Sequence, residues 1–173
     1  MNAPVVLVPL DGMDARLLHP VAANVLEVFT LVAAVGDPAE SPAEAFDPVR
    51  GQYRAAAVLS FLGPCCPEAK RVVGVTVADL FEPGLNFVFG LAERPGRAAV
   101  VSAHRLLTPA GRRFLARLMK EVNHELGHTF GLGHCSEPTC VMRFSNSVVE
   151  VDEKGRFFCP RCRALLEEAL KRL

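Results

Sequence analysis

Short apolar runs and longer stretches of helical periodicity take turns along this chain. Val5–Leu10 is an apolar run closed by Asp11-Gly12, which predicts a buried strand and a turn. In Ala15–Glu27, Leu17, Leu18, Val21, Val25 and Leu26 recur at helical spacing, and Pro20 puts the helix start near itself. Val28–Val35 predicts a second strand, and Asp37–Asp47, with Pro38 and Pro42, a loop. Gln52–Leu62 predicts a helix stopped by Gly63-Pro64. Valine-rich Arg71–Val77 predicts a third strand; Asn86–Phe89 and Ala98–Ser102 predict two more, parted by a turn at Pro95-Gly96. Thr108-Pro109 supplies a capping hydroxyl and a first-turn proline for a long helix. That helix carries Phe114, Leu115, Leu118, Met119, Val122 and Leu126 and is expected to reach Gly131. Arg163–Leu173 predicts a last, short helix. Strands alternating with helices predict an α/β chain on a mostly parallel sheet with helical crossovers.

At 173 residues and 50% hydrophobic composition, the chain has the size of one domain with room for a small subdomain. It is too apolar for disorder. Nineteen basic residues balance nineteen acidic ones, so no global field draws it to nucleic acid or to an anionic membrane. Val28–Gly36 is about half of the roughly 20 residues a membrane span needs, and no basic segment precedes Val5–Leu10 as in an export signal. A cytoplasmic chain is expected, and there thiols stay reduced. Six cysteines in such a compartment point to metal more than to disulfides.

The chemistry concentrates in His124-Glu125-Leu126-Gly127-His128-Thr129-Phe130-Gly131-Leu132-Gly133-His134. His124 and His128 are one helical turn apart, so both imidazoles leave one face, where a single zinc ion can take both. Glu125 can reach a water on that ion without ligating it, take its proton and later give it to a leaving group. Gly131 can adopt the left-handed conformation that ends the helix and lets the chain return His134 as a third ligand. Three histidines leave one position open, which is the catalytic rather than the structural arrangement. HExxH alone arises by chance. The extension HExxHxxGxxH uses three of the chain's five histidines and is the metzincin signature.

A second set follows at once: Cys135, Cys140, Cys159 and Cys162, spaced C-x4-C and then C-x2-C. Four thiolates suit a closed tetrahedral zinc site of structural role, and the segment between Cys140 and Cys159 holds few large apolar residues to fold without one. Two disulfides are the other reading of these spacings. Because Cys135 follows His134 directly, ordering the thiolate site restricts His134, and the two sites are expected to act together. His19 and His104 read as ordinary histidines, and Cys65-Cys66, between Pro64 and Pro67, as free thiols in a loop.

His124 to His134, Cys135, Cys140, Val141-Met142 and Cys159-Pro160-Arg161-Cys162 together resemble the archaemetzincins, metzincin-type peptidases with a four-cysteine zinc site. The resemblance extends to Arg50-Gly51-Gln52-Tyr53, Asp79-Leu80-Phe81, Asn86–Gly90 and Ser102–Leu106. It implies a twisted, mostly parallel five-stranded sheet with a backing helix and an active-site helix. It also implies an upper catalytic subdomain over residues 1–133 and a lower one over residues 134–173. Met142 would occupy a turn beneath the three histidines without ligating zinc. Asn86, Phe87, Val88 and Phe89 would form an edge strand over the cleft that binds an extended peptide. Some metzincins carry a tyrosine near the metal where Phe144 stands, so no phenol from this turn can assist.

The expected function is therefore a zinc-dependent metallopeptidase with Glu125 as the catalytic base. Two zinc ions per chain are expected, a catalytic one on His124, His128 and His134 and a structural one on Cys135, Cys140, Cys159 and Cys162. A peptide or protein substrate and a monomeric state are expected, with no nucleic acid and no membrane. Two readings from other classes stand beside this one. A zinc-stabilised peptide-binding protein with weak or unused peptidase activity would have no need of Glu125. A zinc-ribbon nucleic-acid module is disfavoured by the zero net charge.

Overall fold

The computed structural model describes residues 4–173. Five strands make the main sheet: β1 (Val5–Leu10), β2 (Ala33–Val35), β5 (Arg71–Thr76), β7 (Gly90–Ala92) and β8 (Ala98–Ser102). Its order is β2-β1-β5-β8-β7, with every pair parallel except β7, which runs antiparallel along β8 at the edge. A smaller sheet of β3 (Phe46–Asp47), β4 (Gln52–Arg54) and β6 (Leu80–Phe81) sits apart from it.

The central strands are covered on both faces, which is why they read as continuous Val, Leu and Ala. Leu7, Val73, Val75, Ala99 and Val101 point to one face and pack with α1 (Leu18–Phe29) and α3 (Gly111–Thr129). Val8, Val72, Ala98 and Val100 point to the other and pack with α2 (Ala55–Cys65). Beyond α3 the chain forms α4 (Val148–Glu153) and α5 (Pro160–Leu170), whose Val151, Cys162 and Leu166 join the α1/α3 core. Cys159 caps α5, its sulfur accepting from Cys162 N–H, and Pro160 takes the first helical position, where no N–H is needed.

Several element boundaries differ from expectation. α1 runs on to Phe29 and ends at Thr30, held in the left-handed region at φ 58° with its N–H on Leu26 O, so only Ala33–Val35 of Val28–Val35 is strand. Gln52–Arg54 is strand, and the helix starts at Ala55 and continues through Gly63 and Pro64 to Cys65. Pro64 has no N–H to give the carbonyl of Ser60, and α2 ends one residue after it. Cys65 therefore lies in helix, with Cys66 as its cap. Phe46–Asp47 pairs as β3 inside the expected loop. Thr108 does not cap α3, which begins at Gly111 without a side-chain cap. Asn86–Phe89 is not a ladder strand: Val88 makes a single bridge to Leu80, and regular pairing begins at Gly90. Among the described residues, no helix is long and apolar enough to cross a membrane.

Candidate active site

α3 is amphipathic for most of its length and then becomes buried on all sides from Glu121 to Thr129. Its last two turns carry His124, Glu125 and His128 against the floor of a cleft of about 740 Å³. After Phe130 the chain turns at Gly131, at φ +91°, and brings His134 back to the same place. The ligand nitrogens of His124, His128 and His134 lie within 4.8 Å of one another.

Two of the three rings are oriented by backbone. His124 Nδ1 lies 2.8 Å from Val141 O and His128 Nδ1 lies 2.7 Å from Leu132 O. A carbonyl can only accept, so each Nδ1 carries the proton and each Nε2 presents a lone pair. Those two Nε2 atoms face each other at 3.1 Å. Burial holds the His124 imidazole well below its ordinary range, helped by the charge of Lys154, and brings His128 down to about 4. Both rings are thus neutral near pH 7, and two lone pairs at that distance repel unless a cation lies between them. The donor set therefore fits a zinc ion with an open fourth position.

Met142 packs beneath, fully buried. A Cβ on Gly127 would stand 2.6 Å from its sulfur, so only glycine allows this approach. The Phe144 ring lies 5.0 Å from that of His134 and is half exposed at the cleft mouth. Glu125 faces the opposite wall, where a Cβ on Gly90 would meet its side chain at 2.7 Å. Burial first, then the negative charge of Glu121, push the Glu125 carboxyl up to about 8.

Asn86, Phe87, Val88 and Phe89 all line the cleft, as part of a continuous wall that runs on through Gly90–Ala92. Arg50 and Gln52 pin the start of that wall, donating to the carbonyls of Leu85 and Asn86 and of Asn86 respectively. Asp79 ties Gln52 to Arg105, and the Arg105 guanidinium stacks 4.1 Å over the Phe87 ring. Arg94, Glu121, Ser145 and Asn146 also line the cleft and were not singled out by sequence reasoning. Glu121 had a readable signal, one turn before Glu125 on the same helical face. Lys154, which pairs with Glu121 at 2.9 Å, had none.

The sulfurs of Cys135, Cys140, Cys159 and Cys162 also lie within 4.8 Å of one another. All six cysteines are free, and Cys135 and Cys159 sulfurs are 3.8 Å apart, far beyond a disulfide bond. Backbone N–H groups of Glu137, Cys159 and Cys162 donate to sulfurs of this group. Burial alone would raise the Cys135 thiol; hydrogen bonds from Glu137 N–H and the Arg161 guanidinium bring it down to about 7. Burial raises Cys162 instead. Four sulfurs this close cannot all be anionic without a cation, and this donor set fits a closed zinc site. His19, His104, Cys65 and Cys66 join neither group.

Comparison with known proteins places these features in a family setting. The family model described as peptidase family M54 matches residues 34–168. An archaemetzincin of Methanopyrus kandleri is 48% identical over 169 residues, covering 96% of this chain and 97% of the relative. The crystal structure of the Methanopyrus kandleri archaemetzincin superposes with a TM-score of 0.92 at 45% identity, over 99% of this chain and 97% of that one. A zinc-dependent peptidase from Methanocorpusculum labreanum gives a TM-score of 0.84 at 33% identity, over 94% of this chain and 99% of that one.

Proposed function

The chain belongs to peptidase family M54, the archaemetzincins, which are zinc metallopeptidases, and on that premise we propose that it cleaves peptide bonds with Glu125 as general base. The observation that carries the proposal is the pair of facing Nε2 lone pairs, with His134 beside them and a buried carboxyl adjacent. His124, His128 and His134 would hold the catalytic zinc, and Cys135, Cys140, Cys159 and Cys162 a second, structural one. When bound, the catalytic zinc supplies a Lewis acid for the substrate carbonyl and acidifies a water. Glu125 takes the proton of the attacking water and passes it to the departing amine as the C–N bond breaks. A carboxyl whose basicity burial has raised suits that exchange near neutral pH.

The unpaired side of β7 supports a role in holding the substrate. β8 occupies only one side of this strand, and an extended peptide can hydrogen-bond along the other. Gly90 keeps the strand backbone close to Glu125, so a peptide added there passes over the base. In this reading residues 1–133 supply the base, two histidines and the upper wall, and residues 134–173 the third histidine and the lower wall. A reducing, cytoplasmic setting suits the six free thiols. The test is Glu125→Gln, which keeps shape but cannot take the proton. Hydrolysis of a peptide library should fall by at least about 100-fold while zinc content is unchanged. Parental turnover by this variant would remove Glu125 from the mechanism.

A further inference from the structure

Among the described residues, Arg94 is the one cationic side chain that lines the cleft. It stands just beyond the end of β7 and is exposed. The turn that carries it is fastened to the segment that returns His134. Gly96 N–H donates to Thr129 O at 3.0 Å, and Pro95 Cβ would stand 3.8 Å from a Cβ on Gly131. A Cβ on Gly133 would stand 3.5 Å from Nη1 of Arg94 and 3.7 Å from both Cζ and Nη2. Three nearly equal distances mean that the guanidinium lies face-on over this backbone. Its N–H groups lie in the guanidinium plane, so they point past the chain and not into it. Among the described residues, none of them has a hydrogen-bond or ion-pair partner. The acid next to Arg94 in sequence, Glu93, is engaged elsewhere, accepting from Arg97 N–H at 2.6 Å and Ala98 N–H at 3.1 Å. Exposed arginines such as Arg112 and Arg113 also lack partners, but they do not line the cleft.

From this geometry we infer that Arg94 determines specificity, selecting peptides that place a carboxylate at the Gly133 end of the cleft. The inference rests on the peptidase reading of the cleft. A guanidinium held flat on the chain has its fork of donors already oriented, and a carboxylate matches that fork with two parallel N–H···O bonds. The position also calls for an anion. Gly133 precedes His134, so Arg94 lies beside the group that would hold a dication, and like charges placed together repel. A substrate carboxylate at the guanidinium edge relieves that repulsion, whereas Lys or Arg there would add to it. Register sets the distance from the cut. Gly90 stands over Glu125, β7 ends two residues later at Ala92, and the Arg94 side chain reaches further along. At about 3.3 Å per residue of an extended peptide, the carboxylate lies roughly two to four residues from the cleaved bond. Either an Asp or Glu side chain or the peptide's own C-terminus can supply it.

The test has two readouts. The zinc-loaded protein digests a peptide library read by mass spectrometry, and the Glu125→Gln protein binds fluorescent peptides of the same design, read by anisotropy. Peptides with Asp or Glu at one position on one side of the cut, or with a free C-terminus there, should be favoured about fivefold over Gln, Leu or Lys peptides. The preference should weaken as salt rises. Arg94→Ala should abolish it, and Arg94→Glu should turn it toward Lys by a similar factor. Arg94→Lys should keep part of it, since the charge remains and the fork does not. Arg94 is exposed, so circular dichroism of all three variants should match the parent. Peptides with free and amidated C-termini separate the two sources. A preference that follows the Asp or Glu position in amidated peptides assigns it to the side chain, and one that disappears on amidation assigns it to the terminus. Equal handling of Glu, Gln and Lys peptides by the parent, or an acidic preference that Arg94→Glu leaves unaltered, would overturn the inference. Selective binding without cleavage by the parent would support the role of Arg94 and count against the proposed activity.

Discussion

The two ligand groups are separated by one peptide bond, between His134 and Cys135, yet they are built in opposite ways. The three imidazoles stand on the floor of an open cleft, two of them held by carbonyls that fix which nitrogen faces inward. The four sulfurs close on one another and take hydrogen bonds from backbone N–H groups and Arg161. An open site exchanges its ligand and does chemistry; a closed one holds the chain. Their contact teaches how a small segment can serve both, because Cys135 N–H donates to Met142 O, and Val141, between Cys140 and Met142, orients His124.

The sharpest way to separate the two is a chelator. Mild chelation should empty the histidine site first and abolish hydrolysis, while circular dichroism and one remaining zinc per chain stay unchanged. Simultaneous loss of both zincs with unfolding would show that the sites are not distinct. Cys159→Ser tests their coupling. It touches no histidine, but a loosened thiolate group frees both Cys135 and Cys140, so His134 and the Val141 carbonyl shift together. Activity should fall roughly 100-fold with weaker zinc binding at the histidines and the main sheet still folded. Normal activity with two bound zincs would end the coupling argument.

Protonation gives a smaller effect. In the metal-free protein Glu125 titrates at about 8, above the usual carboxyl value, so the folded state binds its proton more tightly than the unfolded one. That contribution is complete below the unfolded value and is lost as pH rises through 8. The Tm advantage of metal-free Glu125→Gln over the metal-free parent should therefore grow by several degrees from pH 6 to pH 9. A constant difference would mean Glu125 is not buried as described. The smallest effect is expected for Cys65→Ser with Cys66→Ser, which should leave zinc content and activity unaltered; loss of a zinc would assign these thiols to a site.

The histidine and cysteine groups were legible because metal chemistry restricts residue type and spacing over short stretches, and folding brings each group together as the spacing implied. The parallel sheet was legible from runs of valine. The segment Arg50–Tyr53, Asp79–Phe81 and Ser102–Leu106 carried a family resemblance with no evident chemistry; in the fold Arg50, Gln52, Asp79 and Arg105 are the anchors of the upper wall. Asn86–Phe89 misled because its apolar run Phe87–Phe89 reads as a short strand, whereas ladder pairing waits for Gly90. Lys154 was beyond reach. It sits in the polar run Glu150–Arg156, which reads as a solvated face, and its partner is thirty-odd positions away in α3.

Val141 deserves a different description from the residues around it. Its N–H goes to Phe157 O and its carbonyl to His124, so what it contributes to the metal centre is peptide backbone, not a side chain. Every amino acid carries that carbonyl. Mutational scanning at this position would report only how well a side chain fits the core, and would score the residue as filler. The contact is visible only to chemistry that edits the main chain, such as an amide-to-ester replacement, or to a shift of the whole segment. Part of the specification of this centre is thus stored in the path of the chain, where a letter-by-letter comparison of sequences has nothing to align.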